Sequence, residues 1–280
     1  MDRVVINDRQ MQAFAEYLKK NEKSAATVEK YTRDVRMFCA FTQGREIDKQ
    51  AVMEYKAYLG SHYAVASANS MLAALNAFLQ FCGAGELCVK RFAMQRRVFC
   101  EQEKELTRDE YYRLLDAASK RKNERLCLII QTICGTGIRV SELQFITVEA
   151  VQRGEANVSC KGKNRRILLV SALRKKLMRY AKMQNIRAGS IFVTRNGKPI
   201  SRVDVWRQMK SLCKQAGVLP SKVFPHNLRH LFARTFYSMD KDIAKLADIL
   251  GHSSIDTTRI YIVTTSAEHL KKMQSMRLIL

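Results

Sequence analysis

The sequence Pro225-His226-Asn227-Leu228-Arg229-His230 is followed by Leu250-Gly251-His252, and Tyr261 lies nine positions after His252. Three of the five histidines of the chain are in this window, beside an arginine and a tyrosine in otherwise apolar surroundings. Guanidinium groups, imidazoles and a phenol form a set that suits the attack of a tyrosine on a phosphodiester. The window therefore predicts a site of phosphoryl transfer in the last sixty residues.

The first part of this window has the features of a helix start. Pro225 can occupy the first helical position, and His226 and Arg229 would then share one helix face. Free backbone N–H groups at a helix start attract phosphate, and a planar guanidinium can bind two phosphate oxygens at once. His230 faces a similar way, four residues after His226, and we expect it to support or to pack.

Two upstream segments contain further candidates. Thr136-Gly137-Ile138-Arg139-Val140-Ser141-Glu142-Leu143 places Arg139 after a glycine-bounded break, where its side chain can point into a cleft. Glu142 either orients that guanidinium or is a carboxylate favoured by a helix dipole. Residues 158–160 and 167–170 are expected to be short strands around the polar turn Lys161–Arg166, and residues 191–193 another short strand.

Together these motifs resemble the tyrosine recombinase (phage integrase) family over most of residues 105–280. The resemblance implies that Tyr261 is the nucleophile and that two arginines and a histidine stabilise the developing charge. It also implies that Lys161 is the general acid, although Lys163 competes for this role, and that Glu142 and His230 are supporting residues. The implied catalytic set is Arg139, Lys161, His226, Arg229, His252 and Tyr261, with no metal ion and no cofactor.

The sequence departs from the family pattern in two places. Ser238-Met239-Asp240-Lys241-Asp242 lies where family members often have glycine, and Tyr261-Ile262-Val263 replaces a frequent Tyr-x-His. Neither departure changes a position of the implied catalytic set. Arg139 lies too early for an additional arm-binding domain, so the chain resembles the simple core-site recombinases.

Charge is the strongest signal in the composition. The net charge is +23; residues 1–100 contribute +5 and residues 101–280 contribute +18. Such an excess is expected of a protein that grips a polyanion, although a basic run can also be an ordinary solvated face. The expected contacts to the DNA backbone are Lys90, Arg91, Arg96, Arg97, Lys163, Arg165 and Arg166.

The helical patterns predict a mainly α fold (α+β) in two domains. Residues 1–84 are expected to form four helices, the first three capped by Asn7, Ser24 and Asp48, and the resemblance implies that this domain clamps DNA. Residues 85–105 are expected to be a basic linker. A capping box at residues 107–110 then opens a mostly helical catalytic domain, 106–280, with a small antiparallel sheet.

The expected partners are double-stranded DNA at core recombination sites and further copies of the chain, as a tetramer in the synaptic complex. No apolar run approaches the roughly 18 residues that a membrane span requires. The eight cysteines contain no CxxC pair, which favours a reducing compartment and disfavours structural zinc. We therefore expect a cytoplasmic, nucleoid-associated protein.

Several functions remain open from the sequence alone. Within the family, the chain is expected to integrate and excise a mobile element, with a chromosome-dimer resolvase or an inversion switch as alternatives. Two alternatives belong to different classes: a non-catalytic DNA-binding regulator, and a metal-dependent nuclease or transposase. The nuclease would need clustered carboxylates, and Asp240, Asp242, Asp248 and Asp256 do not form a matching set.

Overall fold

The computed structural model describes residues 7–94, 105–160, 163–252, 254–261 and 274–276. The fold is mostly helical with a small two-stranded antiparallel sheet, as the sequence predicted. The chain divides into two compact units, residues 1–96 and 97–280. Among the described residues, no helix combines the length and the apolar character needed to cross a membrane.

The first unit is built from helices, and their starts are capped as predicted. The side chains of Asn7, Ser24 and Asp48 each accept a backbone N–H of the helix that follows. The helices of residues 7–94 are α1 (Asp8–Lys20), α2 (Ala25–Thr42), α3 (Lys49–His62) and α4 (Val65–Phe81), followed by a 3₁₀ turn (Gly85–Leu87).

Aromatic side chains fill the core between these helices. Phe14 of α1 meets Phe78 of α4 edge to face, with ring centroids 5.2 Å apart. Phe38 of α2 and Tyr55 of α3 form a second such pair at 5.0 Å. These four aromatic side chains are buried on the inner faces of their helices.

Two asparagines of α4 pin the start of the segment that was predicted to be a linker. Asn76 donates to the carbonyl of Val89 at 2.9 Å and accepts its N–H at 3.1 Å. Asn69 forms the same pair of bonds with Phe92, at 3.0 and 2.8 Å. Each side-chain amide thus forms the pair of hydrogen bonds that a neighbouring strand would otherwise form with this extended backbone. Residues 85–92 therefore pack as part of the first unit.

Exchanging one amide of this pair for a carboxylate is expected to destabilise the protein. Asn76→Asp still accepts the N–H of Val89 but cannot donate to its carbonyl, which a carboxylate oxygen would instead repel. We expect a loss of about 1–3 kcal/mol in the free energy of unfolding, measured by urea denaturation.

The control is Gln80→Glu, the same chemical change at an exposed position of α4. It is expected to stay within about 0.5 kcal/mol of the wild type. Equal stabilities of the two variants would contradict a structural role for the asparagine.

The second unit begins with the predicted capping box. Thr107 Oγ1 accepts the N–H of Glu110 at 3.1 Å, and Glu110 Oε2 accepts the N–H of Thr107 at 2.8 Å. The elements of the described part are α5 (Arg108–Lys120), α6 (Glu124–Thr136), α7 (Val148–Arg153), β1 (Glu155–Cys160), β2 (Lys163–Leu168), α8 (Ser171–Met183), α9 (Arg202–Ala216), α10 (Pro225–Asp240), α11 (Ile243–Leu250) and α12 (Ile255–Arg259), with 3₁₀ turns at Val140–Phe145 and Pro220–Lys222.

The first predicted strand, 158–160, lies within β1, which starts earlier at Glu155, whereas β2 is displaced from its predicted position. β1 and β2 pair from Glu155 with Leu168 to Cys160 with Lys163, so β2 starts and ends earlier than predicted. The strand predicted at 191–193 is wrong, because Val193 forms only an isolated bridge with Pro199. Polar residues make up most of β2, and therefore hydrophobicity alone placed the strand too late.

The core of the second unit surrounds α6. Ile129, Ile130 and Ile133 of this helix are fully buried, and Ile167 of β2 packs into the same cluster. Helix α10 packs along α6, which brings Arg229 beside the end of α6. The hydrophobic core therefore determines where the polar residues of the predicted site meet.

Candidate active site

The end of α6 is shaped by a glycine. Gly137 has a φ of +64°, and a Cβ at this position would lie 2.4 Å from the Phe232 ring of α10. Only glycine combines this backbone conformation with such a close approach. As a result, the Gly137 carbonyl reaches α10 and accepts a hydrogen bond from Arg229 Nη1 at 2.5 Å.

The Arg229 side chain is almost completely buried, with 1% of its surface exposed. Its Nη2 donates to the Leu250 carbonyl at the end of α11 and to Nε2 of His252, both at 2.8 Å. Nε is buried without a hydrogen-bond partner among the described residues. Burial, and next the charge of Arg139, lower the pKa of Arg229 to about 10, so that it stays a cation at neutral pH.

Arg139 follows the same break and remains 43% exposed. Its Nη1 donates to Glu142 Oε1 at 3.1 Å, and its backbone N–H donates to Glu142 Oε2 at 2.8 Å. The orienting contact suggested by the sequence is thus present. Burial raises the pKa of Glu142, but the Arg139 N–H and the two neighbouring guanidiniums lower it by more, so the carboxylate is ionised.

The contacts of His252 define its tautomer. A guanidinium can only donate, so Nε2 of His252 must be the acceptor in its bond with Arg229. Nδ1 then carries the proton and donates to Thr258 Oγ1 at 2.8 Å. In this arrangement His252 and Arg229 are joined directly, so two residues of the implied catalytic set lie side by side.

Tyr261 is 5% exposed and lies among three imidazoles. Its ring centroid is 4.3 Å from that of His230, 5.4 Å from His252 and 5.6 Å from His226. The phenol oxygen is 3.5 Å from Nε2 of His226. His226 and His230, one helical turn apart on α10, therefore both contact the predicted nucleophile.

All three imidazoles are held in their neutral form. Burial, followed by repulsion from Arg229 and Arg139, lowers the pKa of His252 to about 4. Burial and the neighbouring His226 lower the pKa of His230 to about 4. The pKa of His226 is also lowered, mainly by burial. The positive charge of the site thus comes from its arginines and not from its histidines.

The site opens into a cavity of about 420 Å³ lined by α9 and the start of α10. Arg202, Trp206 and His226 contribute to its wall. Among the residues that the structure describes, no group of three or more His, Cys, Asp or Glu side chains is arranged to hold a metal ion.

The other predicted residues do not all fall within the described part of the chain. Lys161, Arg96 and Arg97 lie outside it. Lys163 pairs through its backbone with Cys160 at the end of the hairpin. Three of the predicted DNA contacts have exposed side chains in the described part of the chain and remain predictions: Lys90, Arg91 and Arg166.

Arg165 was predicted to face DNA, but the structure places its side chain inward, with 10% exposed. It lies opposite Val158 on the buried face of the hairpin, two residues before Ile167. Successive strand residues point to opposite faces, so the buried Ile167 requires Arg165 to face inward and Arg166 outward. This alternation was readable from the sequence once the bounds of the strand were known.

Two further residues of the site were missed. Thr258 is fully buried, and its hydroxyl oxygen accepts a hydrogen bond from the Nδ1–H of His252. Asn227 is 3% exposed and donates to the Lys222 carbonyl at 2.7 Å, which fixes the turn before α10. No spacing in the sequence marks Thr258, because its partner is defined only by the fold around Gly251.

Family models match most of the chain. Residues 104–268 match the phage integrase family, and residues 11–84 match the phage integrase N-terminal SAM-like domain. The chain therefore belongs to the phage integrase family, and the family predicted from its motifs is confirmed.

Similar proteins define the class of enzyme. Tyrosine recombinase XerA of Pyrococcus furiosus is 30% identical over 270 residues, which cover 94% of this chain and 91% of that protein. The crystal structure of XerA recombinase is 26% identical, with a TM-score of 0.54 and coverage of 98% of this chain and 99% of that one. The lambda integrase tetramer bound to a Holliday junction is 18% identical, with a TM-score of 0.74 over 93% of this chain and 78% of that one, and shares the fold. The enzyme is thus a tyrosine-type site-specific recombinase.

Acidification is expected to destabilise the second unit through its neutral imidazoles. His230 takes up a proton near its ordinary pKa of 6.5 when unfolded but only near pH 4 in the fold. Its contribution to stability is therefore complete above pH 6.5 and is lost as the pH falls toward 4. In thermal unfolding between pH 4.5 and 7.5, His230→Gln should show a smaller fall in Tm than the wild type.

The matched control is Met239→Gln, at an exposed position of the same helix, which should retain the wild-type pH dependence. The same fall in Tm for all three proteins would contradict the neutral, buried state of His230.

Proposed function

We propose that this recombinase cuts and rejoins duplex DNA through a covalent 3′-phosphotyrosine on Tyr261, without a metal ion or a nucleotide. The observation that carries the proposal is the placement of the Tyr261 hydroxyl. It lies 3.5 Å from a neutral imidazole and in the same buried cluster as the guanidinium of Arg229. The proximity of this imidazole, phenol and guanidinium supports their proposed roles as base, nucleophile and cation.

The first step forms one bond and breaks another. The Tyr261 oxygen attacks the scissile phosphorus while its proton passes to Nε2 of His226, which is uncharged and therefore able to accept it. The bond from phosphorus to the 5′ oxygen breaks, and the phosphate remains attached to Tyr261. Because the energy of the phosphodiester is retained in the new linkage, the reverse attack by a 5′ hydroxyl rejoins the strand.

The arginines supply positive charge that stabilises the negative charge developing on the oxygens of the pentavalent phosphorus. Arg139 is half exposed and aimed by Glu142, so it is free to contact non-bridging oxygens. Three of the five N–H groups of Arg229 are used by Gly137, Leu250 and His252, which leaves its Nε–H and one N–H of Nη1 for the substrate. We propose that Lys161, with Lys163 as the competitor, protonates the departing 5′ oxygen.

The substrate class follows from charge and from the fold relatives. Exposed basic residues such as Lys90, Arg91 and Arg166 suit a duplex backbone. Solved complexes of XerH and lambda integrase contain DNA, and one of them is a tetramer on a Holliday junction. We propose that this chain likewise exchanges strands between paired core sites as a tetramer, in association with the nucleoid.

The biological role is proposed to be integration and excision of a mobile element, in line with the resemblance to simple core-site integrases. A second candidate is resolution of chromosome dimers, which the sequence leaves open within the same family. Sequencing the DNA bound in cells separates the two roles. Sites that flank a segment found both integrated and circular support the first role, and a single chromosomal site supports the second.

Tyr261→Phe is expected to abolish the covalent adduct. A nicked duplex that carries the site recovered from cells should give the wild-type protein a DNA adduct stable to denaturation, with chelator present. The phenylalanine keeps the buried ring but removes the nucleophile, so no adduct should form.

Tyr237→Phe is the control, a half-buried tyrosine in the same cluster of α10, and should form the adduct at the wild-type rate. An adduct in Tyr261→Phe, or a requirement for magnesium, would refute the proposed chemistry.

Replacing the 5′ bridging oxygen with sulfur is expected to distinguish Lys161 from Lys163. Lys161→Ala should lose roughly 10²–10⁴-fold in cleavage of the natural substrate if it is the general acid. A thiolate leaves without protonation, so this defect should largely vanish on the sulfur substrate, whereas Arg139→Ala should stay slow on both. Rescue of Lys163→Ala instead would assign the role to Lys163.

A further inference from the structure

The buried arginine of β2 joins three parts of the second unit. Arg165 Nη2 pairs with Glu142 Oε2, and Nη1 donates to the Ile249 carbonyl of α11 at 2.8 Å. Its stem lies against Gly251, where an added Cβ would be 2.4 Å from Arg165 Cδ. One side chain therefore contacts the segment of Arg139 and the turn that leads into His252.

The carboxylate of Glu142 depends on this arginine. Its side chain is 4% exposed and receives Arg139 on one oxygen, while the other oxygen receives both the Arg139 backbone N–H and Arg165. A buried carboxylate is costly unless it is paired, and Arg165 is its buried cation, since Arg139 remains partly in water. Through Glu142, Arg165 thus acts on the guanidinium that is expected to meet the phosphate.

The neighbouring residue shows that this placement is specific. Arg166 is 68% exposed and, within the described part of the chain, forms an ion pair with Glu155 across the strand pair at 3.5 Å. Two consecutive arginines of one strand thus have opposite surroundings. An arginine that contacts the DNA backbone is expected to be exposed, as Arg166 is. Both terminal nitrogens of Arg165 instead form hydrogen bonds within the protein.

We propose that Arg165 is a positioning residue that fastens the β1–β2 hairpin to the segments carrying Arg139 and His252. The guanidinium spans two acceptors on different segments, Glu142 and Ile249, which the single ammonium of lysine cannot reproduce. The inference rests on the proposed function, because it acts through Arg139 and His252 in strand cleavage. It makes Arg165 necessary for the rate of cleavage and not for the grip on DNA.

The test measures single-turnover cleavage of the nicked site duplex at saturating protein, together with the protein concentration at half saturation. Arg165→Ala should cleave about a hundredfold more slowly at saturation, as expected for a displaced catalytic group, while half saturation stays within about threefold. Arg165→Lys should be intermediate. Arg179→Ala, the control at an exposed arginine of α8, should leave both the saturated rate and the half-saturation concentration near those of the wild type.

A double-mutant cycle tests the route through Glu142. Glu142→Gln and Arg165→Ala should each slow cleavage, and the double variant should be no slower than the slower single variant, within about threefold. Losses that multiply would overturn the route through Glu142. A saturated rate of Arg165→Ala equal to wild type, or binding and cleavage that fall together, would overturn the positioning role.

Folding and function are separated by the remaining controls. If thermal unfolding shows that Arg165→Ala is not folded, the same measurements are made on Arg165→Lys. Slow cleavage at saturation with unchanged DNA binding then supports the proposal. A wild-type rate or failure to fold would overturn it. If the wild type itself forms no adduct, the proposed function is refuted together with the inference. Wild-type cleavage with an unaffected Arg165→Ala refutes the positioning role alone.

Discussion

The burial of the Arg229 guanidinium is the interaction on which the catalytic unit depends. A buried cation is costly unless its donors are paired, and Arg229 finds its partners at the ends of two helices and in one imidazole. The carbonyls at helix C-termini carry partial negative charge and have no partner within their own helix. The ends of α6 and α11 are therefore drawn to one point on α10, and this point is the proposed reaction centre.

Two glycines make this convergence possible. Gly137 and Gly251 both have positive φ, and each lies where a Cβ would collide with a neighbouring side chain. The first glycine lets the end of α6 approach α10, and the second admits the Arg165 stem beside His252. Substitution of either would separate elements that Arg229 and Arg165 hold together.

The same burial decides the protonation of the site. Desolvation and the two arginines keep the imidazoles neutral, so that His226 is able to accept a proton from Tyr261. In the proposed mechanism the arginines stabilise the developing charge, and the neutral imidazole of His226 accepts the proton.

Much of this arrangement was predictable from the sequence. The caps at Asn7, Ser24 and Asp48 were predictable because each follows from one side chain and the N–H groups beside it. The family and its motif positions were readable from ordered spacing. The inward turn of Arg165 was not, because it depends on the start of β2, and polar strands have no hydrophobic signal. The packing of residues 85–92 depends on Asn69 and Asn76, whose pairing with a distant backbone no local pattern reveals.

The central claim is that the enzyme forms a covalent 3′-phosphotyrosine at Tyr261. Mapping the residue that carries the covalent adduct tests this claim most directly. The wild-type adduct would be digested with nuclease and trypsin, and the peptides sequenced by mass spectrometry. Cleavage after Arg259 and Lys271 isolates residues 260–271, which contain other hydroxyl groups besides Tyr261. The account predicts a residual nucleotide on Tyr261 alone; a nucleotide on a serine or threonine of this peptide, or on a different peptide, would contradict it.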